Sequence, residues 1–193
     1  MDSAPSIPTL HQLRVTLLDV TPPVWRRLRV PSVITLAGLH LVLQVAMGWD
    51  GSHLHQWQVG DLTYGPPDEE SWGEPLADES AAVLGQVAPL DSALQYDYDL
   101  GDGWEHLVEV EAVEPFDGTV VPVACVDGAR ACPPEDCGGP SGYEHLLDAL
   151  ADPEDLHHDE VVTWVGDRFE PERFERAAVN RRLETLWRPP DPA

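Results

Sequence analysis

Three cysteines lie in one Pro- and Gly-rich stretch of the sequence, and thiolates are ligands that zinc prefers. Six residues separate Cys125 from Cys132, and four separate Cys132 from Cys137. A structural zinc ion takes four ligands, so a fourth is needed from nearby: His145, His106, Glu135 or Asp136. The stretch predicts a structural zinc site formed by Cys125, Cys132, Cys137 and His145. The alternatives are small buried thiols or a Cys125–Cys132 disulfide, which would require an oxidising compartment.

Three histidines form a second group of candidates. Side chains alternate along a strand, so His53 and His55 are expected on one face of a predicted strand. His106 is expected on the apolar face of another strand. Converging imidazoles could hold a catalytic metal ion with an open coordination position, or they could transfer protons.

The hypothesis that follows is a metal-dependent hydrolase acting, for example, on a phosphoester. Asp50, Asp99 or Asp102 would orient the rings, and Asp102 or Glu105 would act as the base or support the ligands. The simpler interpretation of any one of these histidines is a packed, hydrogen-bonded core residue. The sequence has no Gly-rich phosphate loop, no G-x-S-x-G turn and no H-E-x-x-H helix, so no motif identifies a reaction.

Charge excludes two classes of partner. The 193 residues include 35 acids and 11 Arg but no Lys, which gives a formal net charge of −24. Such a surface repels phosphate backbones and anionic lipids, so we expect neither nucleic-acid binding nor membrane binding. Between residues 31 and 167, Arg130 is the one base among 28 acids, and the other ten Arg lie at the two ends. We predict that the basic ends fold back onto the acidic middle; the alternative is a basic patch that binds a partner.

The elements that would position these residues begin with a strand pair. Apolar and polar residues alternate over 13–17 and 24–29, which predicts two antiparallel strands. Apolar residues recur at helical spacing between Thr35, a cap, and Gly48, a stop signal, which predicts a helix over 36–47. Further strands are predicted over 53–59, 94–100 and 104–113, and a turn at 101–103 joins the last two.

The C-terminal half is predicted to be a long loop followed by helices. Residues 114–140 contain all three cysteines, and a loop of that length is expected to be pinned by a cross-link or by burial. Three helix starts are predicted, at a Ser141/Glu144 capping box, at Asp152-Pro153 and at Pro171. In the acidic, turn-rich residues 60–91, Trp72 is a candidate anchor for a protein partner. These elements predict an α+β fold: a mostly antiparallel sheet with one early helix and a C-terminal helical cluster packed against it.

Four stretches, in order, resemble a known family: Pro22-Pro-Val-Trp-Arg-Arg27, Ala46-Met-Gly-Trp-Asp-Gly-Ser-His-Leu-His55, Tyr96-Asp-Tyr-Asp-Leu-Gly-Asp-Gly-Trp-Glu-His106 and Cys132-Pro-Pro-Glu-Asp-Cys-Gly-Gly-Pro-Ser-Gly-Tyr143. The family is named after the third open reading frame of a root-inducing (Ri) plasmid, and the resemblance runs from about Leu10 to about Leu186. It implies an α+β domain of bacteria and archaea that is often encoded near mobile elements. It implies no agreed activity and no catalytic residues.

Together these patterns predict a single domain over residues 11–188, with a flexible arm at 1–10 and a tail at 189–193. The expected function is that of a mobile-element-associated, non-enzymatic interaction module whose acidic face binds a protein partner. The alternatives are the hydrolase that uses His53, His55 and His106, and a small-ligand binding domain with a Trp- and His-lined cleft. The N-terminus lacks the segments of a secretion signal, and no apolar run reaches the roughly 20 residues of a membrane helix. We therefore expect a cytoplasmic protein.

Overall fold

Eight strands form one sheet in the computed structural model, which describes residues 8–67, 76–116, 123–166 and 169–186. The strands are β1 (Thr9–Leu17), β2 (Trp25–Pro31), β3 (His55–Val59), β4 (Leu62–Gly65), β5 (Ala77–Asp78), β6 (Ala93–Tyr98), β7 (Trp104–Pro115) and β8 (Ala124–Ala129). Their order across the sheet is β5-β4-β3-β6-β7-β1-β2-β8. Neighbouring strands are antiparallel, except that β4 and β5 run parallel. Trp72 lies outside the described residues.

The helices are α1 (Leu36–Met47), α2 (Leu84–Val87), α3 (Gly139–Ala151), α4 (His158–Val165) and α5 (Arg176–Leu186). In the C-terminal cluster of α3, α4 and α5, the last helix packs against both β8 and α1. This is the predicted α+β fold, with a mostly antiparallel sheet, one early helix and a C-terminal helical cluster. No helix in the described ranges is long and apolar enough to cross a lipid bilayer.

One face of the sheet contains the core. Alternate residues are buried along β1, β2, β6 and most of β7, as the period of two in a strand requires. Their side chains form one apolar cluster with those of α1, whose members include Leu13, Leu28, Tyr96, Val108, Leu36, Leu39 and Leu43. The opposite face of the central strands is polar and partly exposed to solvent.

The ends of α1 confirm the two predicted signals. The Thr35 side chain accepts a hydrogen bond from the Gly38 N–H at 3.1 Å, so it caps the first turn. Gly48 has a left-handed φ of 102° and donates its N–H to the Gln44 carbonyl oxygen. Because glycine adopts this conformation at little cost, the helix ends where the sequence places the glycine.

Three strand predictions need correction. β3 begins at His55, so His53 lies before the strand and not on it. β1 begins at Thr9, so part of the predicted flexible arm belongs to the sheet. The predicted loop 114–140 contains β8, which pairs with β2. β8 is a short edge strand containing Gly128. It forms because it pairs with β2, and an alternation pattern in its own sequence does not reveal that pairing.

The helix starts also differ from prediction. α3 begins at Gly139, and its N-cap is Gly138, so Ser141 is inside the helix and not its cap. α4 begins at His158 and α5 at Arg176, both several residues after their Pro signals. Asp152 and Asp155 accept backbone hydrogen bonds from residues two positions later, and such side-chain turns compete with a helix.

The basic N-terminal region folds onto the acidic middle through β2. Arg27 Nε lies 2.6 Å from Glu111 Oε2 of β7, and Arg29 lies 2.6 Å from Glu114 of the same strand. The prediction that Arg side chains of the last helix would meet acids of the middle segment is wrong for the described residues. There, α5 forms no ion pair with that segment, and Arg176 donates to the Val126 carbonyl oxygen.

Candidate functional site

The densest group of metal-ligating side chains surrounds His53. His53 Nδ1 lies 3.6 Å from Asp99 Oδ2, and His53 Nε2 lies 3.3 Å from Asp136 Oδ1. Glu135 Oε2 lies 3.9 Å from the same Nε2. Within the described residues, His53, Asp99 and Asp136 are the one set of three or more His, Cys, Asp or Glu whose ligand atoms lie within 4.8 Å of one another. We call His53, Asp99, Asp136 and the adjacent Glu135 the His53 cluster.

A turn after β6 positions Asp99. Its backbone φ of 51° is left-handed, a conformation that aspartate tolerates better than most residues. Its Oδ1 accepts hydrogen bonds from the N–H groups of Gly101 at 3.1 Å and Asp102 at 3.3 Å. The side chain is only 10% exposed, so the turn holds Oδ2 toward His53.

The loop that carries Glu135 and Asp136 is fastened to the same turn. Asp102 Oδ2 accepts a hydrogen bond from the Gly138 N–H at 3.0 Å. A Cβ added to Gly139 would collide with the Asp102 carbonyl oxygen, so only glycine allows this approach. Asp102, a predicted catalytic candidate, thus brings the two acids of the loop beside His53.

Glu135 uses one of its two oxygens for hydrogen bonds. Its Oε1 accepts from the Tyr98 hydroxyl at 3.0 Å and from the Asp50 N–H at 2.9 Å. Its Oε2 is buried and has no hydrogen-bond partner among the described residues. Burial, followed by the contact with Glu135, raises the pKa of Tyr98 to about 12, so the hydroxyl stays protonated and donates.

A second, buried group lies nearby. The rings of His40 and His55 are stacked, with centroids 3.6 Å apart. His55 Nε2 donates to Glu79 Oε2 at 2.9 Å, and the Tyr96 hydroxyl lies 2.7 Å from His40 Nδ1. Burial, and after it the neighbouring His55, lowers the pKa of His40 to about 4. His40 is therefore neutral at pH 7, and its Nδ1 accepts from Tyr96.

His106 is a core residue. It is fully buried, its Nδ1 donates to the Tyr96 carbonyl oxygen at 3.1 Å, and burial lowers its pKa to about 4. The predicted convergence of His53, His55 and His106 is not formed, because in the described part of the chain these rings provide no shared set of ligand atoms. His53 precedes β3, so strand alternation does not bring it to the face of His55.

The described structure does not bring the cysteine ligand set together. Cys125, Cys132 and Cys137 are free thiols, and in the described ranges no three ligand atoms from these residues and His145 lie within 4.8 Å of one another. His145 is exposed and donates to the Ser141 carbonyl oxygen. Burial raises the pKa of Cys125 to about 11 and that of Cys137 to about 12, which disfavours the thiolate form that zinc binds. The structural zinc site stays a prediction.

A groove of about 740 Å³ lies between α3 and α4. Leu146 and Ala149 form its buried floor, and Val161 and Trp164 contribute from α4. Its exposed acids are Asp136, Asp148, Asp155 and Glu160. We call this surface the α3–α4 groove; through Asp136 it borders the His53 cluster.

The groove has an uncovered apolar side. Trp164 is 51% exposed, and Leu156, between two residues that line the groove, is 97% exposed. α4 has no fully buried residue. Single exposed apolar residues are common, but here they adjoin a concave surface.

Sequence reasoning missed His40 and Glu79. His40 had a detectable signal, because Leu36, His40 and Gln44 are four residues apart and all three are buried in α1, so polar side chains share the apolar face of a helix. Glu79 had no signal, because it lies in a turn-rich stretch. Asp99 was one of three candidates to orient the histidine rings, and it lies beside His53. Asp136 was an alternative zinc ligand and was not predicted to meet His53.

The fold and the site together define an α+β protein with an acidic, histidine-containing cluster beside an open groove. The chain belongs to the plasmid pRiA4b ORF-3-like family, whose sequence profile matches residues 9–178. It is similar to uncharacterized protein y4hQ of Sinorhizobium fredii, with 41% identity over 176 residues that cover 90% of this chain and 88% of the relative. It is also similar to the crystal structure of a protein of unknown function, MM3350, from Methanosarcina mazei Go1. That similarity has a TM-score of 0.81 and 34% identity, and it covers 89% of this chain and 98% of the other.

Proposed function

We propose that this protein is an interaction module that binds a basic amphipathic helix of a protein partner in the α3–α4 groove. One observation carries the proposal: a concave surface with an apolar floor has exposed acids around it. Nine acids and neither Arg nor Lys occur between residues 131 and 166. A helix with Arg or Lys flanking large apolar side chains complements both features.

The size and shape of the groove agree with such a partner. Its volume is about 740 Å³, the size of a cleft that takes a small molecule, so it has room for a few apolar side chains from one face of a helix. Trp164 is the expected anchor, because large aromatic side chains contribute most to binding at such surfaces. The acids would accelerate encounter with a basic partner and exclude acidic ones.

The setting of the interaction is part of the proposal. Cys125, Cys132 and Cys137 are free thiols, which supports a reducing compartment such as the cytoplasm. The family takes its name from a plasmid reading frame, which supports a partner encoded on a mobile element. The net charge of −24 makes a nucleic acid an unfavourable partner.

The test measures binding of three labelled synthetic peptides by fluorescence anisotropy. They are a basic amphipathic helix, a scrambled peptide of the same composition, and an acidic version of the first. The basic helix is expected to bind about tenfold tighter than the scrambled peptide, and its affinity should fall as salt is raised. Trp164→Ala should weaken binding about tenfold or more, while Leu62→Ala, an exposed residue of β4, should not change it.

Two results would overturn the proposal. Equal binding of the amphipathic and scrambled peptides would show that the acidic surface attracts any polycation. Equal binding by wild type and Trp164→Ala would place the peptide on another surface. Because Trp164 is half exposed, its replacement is not expected to unfold the protein, and circular dichroism checks this.

A further inference from the structure

We propose that His53, Asp99 and Asp136 bind one divalent first-row transition-metal ion, with the Glu135 carboxylate beside the site. These residues come from three separate segments: the one before β3, the turn after β6, and the loop before α3. The inference does not depend on the partner of the α3–α4 groove, although Asp136 belongs to both surfaces.

The ligand atoms are close to the spacing that such an ion needs. Two ligands at about 2.1 Å from an ion are at most about 4.2 Å apart. His53 Nε2 is 3.3 Å from Asp136 Oδ1 and 3.9 Å from Glu135 Oε2, and the atoms of His53, Asp99 and Asp136 all lie within 4.8 Å of one another. Asp136 is 76% exposed, so its side chain can adjust its position without disturbing packed neighbours.

Among the residues that the structure describes, two carboxylate oxygens of the cluster have no hydrogen-bond donor. Asp99, whose side chain is 10% exposed, uses Oδ1 for two backbone N–H groups. Its Oδ2 accepts no hydrogen bond within the described ranges and lies 3.6 Å from His53 Nδ1. Glu135 Oε2 is buried and is also without a partner there. A buried carboxylate oxygen without a donor is unfavourable, and a cation bound by Asp99 beside Glu135 would offset this cost.

Charge favours a cation over a network of the side chains alone. In the described structure none of the three carboxylates forms an ion pair with an Arg, and the chain has no Lys. Carboxylates this close repel one another unless a positive charge lies among them. A protonated His53 supplies one positive charge, whereas a divalent ion supplies two.

The donor set indicates the class of ion. Carboxylate oxygens suit Mg²⁺, Ca²⁺ and Mn²⁺, whereas an imidazole nitrogen suits Zn²⁺ and other transition ions. One nitrogen among oxygens therefore favours Mn²⁺ or Zn²⁺ over Mg²⁺ or Ca²⁺. Because the ligands come from three segments, binding would fasten the loop before α3 to the sheet and stabilise the folded chain.

The experiment uses the full chain without an affinity tag, stripped with EDTA and dialysed. Calorimetric titration with MnCl₂, and separately with ZnCl₂, gives stoichiometry and affinity, and thermal unfolding with and without each ion gives the stabilisation. His53→Ala and Asp136→Asn remove one ligand each. The matched control is His157→Ala, because His157 and Glu160 form an exposed pair 3.6 Å apart outside the cluster. Cys132→Ser separates this site from a cysteine-based one.

The expected result is one Mn²⁺ or Zn²⁺ per chain and a rise in melting temperature. Affinity should fall at least tenfold in His53→Ala and in Asp136→Asn, and it should be unchanged in His157→Ala and Cys132→Ser. Absence of saturable one-to-one binding would overturn the proposal. Binding that Cys132→Ser abolishes, or that both ligand variants retain, would also overturn it. Because Asp136 is exposed, Asp136→Asn tests the site even if His53→Ala fails to fold.

Discussion

At the scale of single residues, the stacked pair of His40 and His55 is part of a hydrogen-bonded polar group beside the core. Glu79 is 5% exposed, and its carboxylate accepts from His55 Nε2 at 2.9 Å. His40 faces Tyr96 and Gln44 on its other side, and Gln44 donates to the Tyr96 hydroxyl at 2.9 Å. Burial, and after it the neighbouring His55, lowers the pKa of His40 to about 4, so His40 is neutral at pH 7.

This arrangement makes stability depend on pH. His40 has a folded-state pKa of about 4, below its value of about 6.5 in the unfolded chain, so the unfolded chain binds more protons between these values. The free energy of unfolding should therefore fall as pH is lowered through this window. The Gln side chain in His40→Gln can still accept a hydrogen bond from Tyr96. This variant should reduce the loss of unfolding free energy between about pH 7 and pH 5 by about 2 kcal/mol.

Urea unfolding at the two pH values measures this difference. His157→Gln is the control, because His157 is 71% exposed. In this variant the loss of unfolding free energy between the two pH values should be the same as in wild type. His106, whose pKa is also lowered to about 4 by burial, should keep part of the pH dependence in His40→Gln. If the unfolding free energy depends on pH in His40→Gln as it does in wild type, His40 already takes up its proton in the folded state.

At the scale of elements, the start of α3 depends on two glycines. A Cβ at Gly139 would meet the Asp102 carbonyl oxygen, and a Cβ at Gly142 would meet the Cys137 carbonyl oxygen. In both cases the obstacle is backbone, which cannot rotate away as a side-chain end can. The loop before α3 therefore reaches the β6–β7 turn only because position 139 lacks a side chain, and Gly142 lets Cys137 lie against the first turns of α3.

Gly139→Ala and Gly60→Ala separate crowding from backbone conformation. Both glycines have positive φ, 70° and 58°, but nothing lies within 4 Å of an added Cβ at Gly60. Gly60→Ala should lower the free energy of unfolding by about 1 to 2 kcal/mol, the cost of a left-handed alanine. Gly139→Ala should lower it by at least about 2 kcal/mol more, because the clash adds to that cost.

Denaturant unfolding of both variants at neutral pH is the measurement. Equal costs for the two substitutions would mean that α3 moves away from the turn without penalty. In that case the contact between Asp102 and Gly138 would not hold the loop in place.

At the scale of the whole molecule, the dominant property is a net charge of −24. The ion pairs of Arg27 with Glu111 and of Arg29 with Glu114 are partly exposed, and such pairs contribute about 0 to 1 kcal/mol each. They are too few to balance the acids, so repulsion across the surface should oppose folding at low ionic strength.

Salt should therefore stabilise this protein. Between about 0.01 M and about 1 M NaCl the Debye length falls from about 30 Å to about 3 Å, which screens the repulsion. We expect the melting temperature, measured by scanning calorimetry, to rise by about 3 °C or more. His53→Ala should show the same rise, since screening needs no specific site. A lower melting temperature in high salt would mean that the ion pairs outweigh the repulsion.

Local signals in the sequence predicted much of the fold. Alternation predicted β1, β2, β6 and β7, and the signals at Thr35 and Gly48 predicted both ends of α1. These features depend on residues only a few positions apart in the chain. β8 and the start of α3 were missed or misplaced. β8 needs β2 as its hydrogen-bonding neighbour, and α3 starts where the Asp102 side chain binds the Gly138 N–H.

The candidate site, like the fold, was predicted from the sequence only in part. The sequence by itself determined which residues can bind a metal ion or carry charge: the histidines, the three thiols and the acidic middle segment. Only the tertiary structure decided that His53 meets Asp99 and Asp136 while His106 is enclosed in the core. The period of a strand tells which face a side chain takes, but it says nothing about what lies opposite. That depends on strand order, on pairing register and on glycine contacts between segments far apart in the chain, which form only when the sheet assembles.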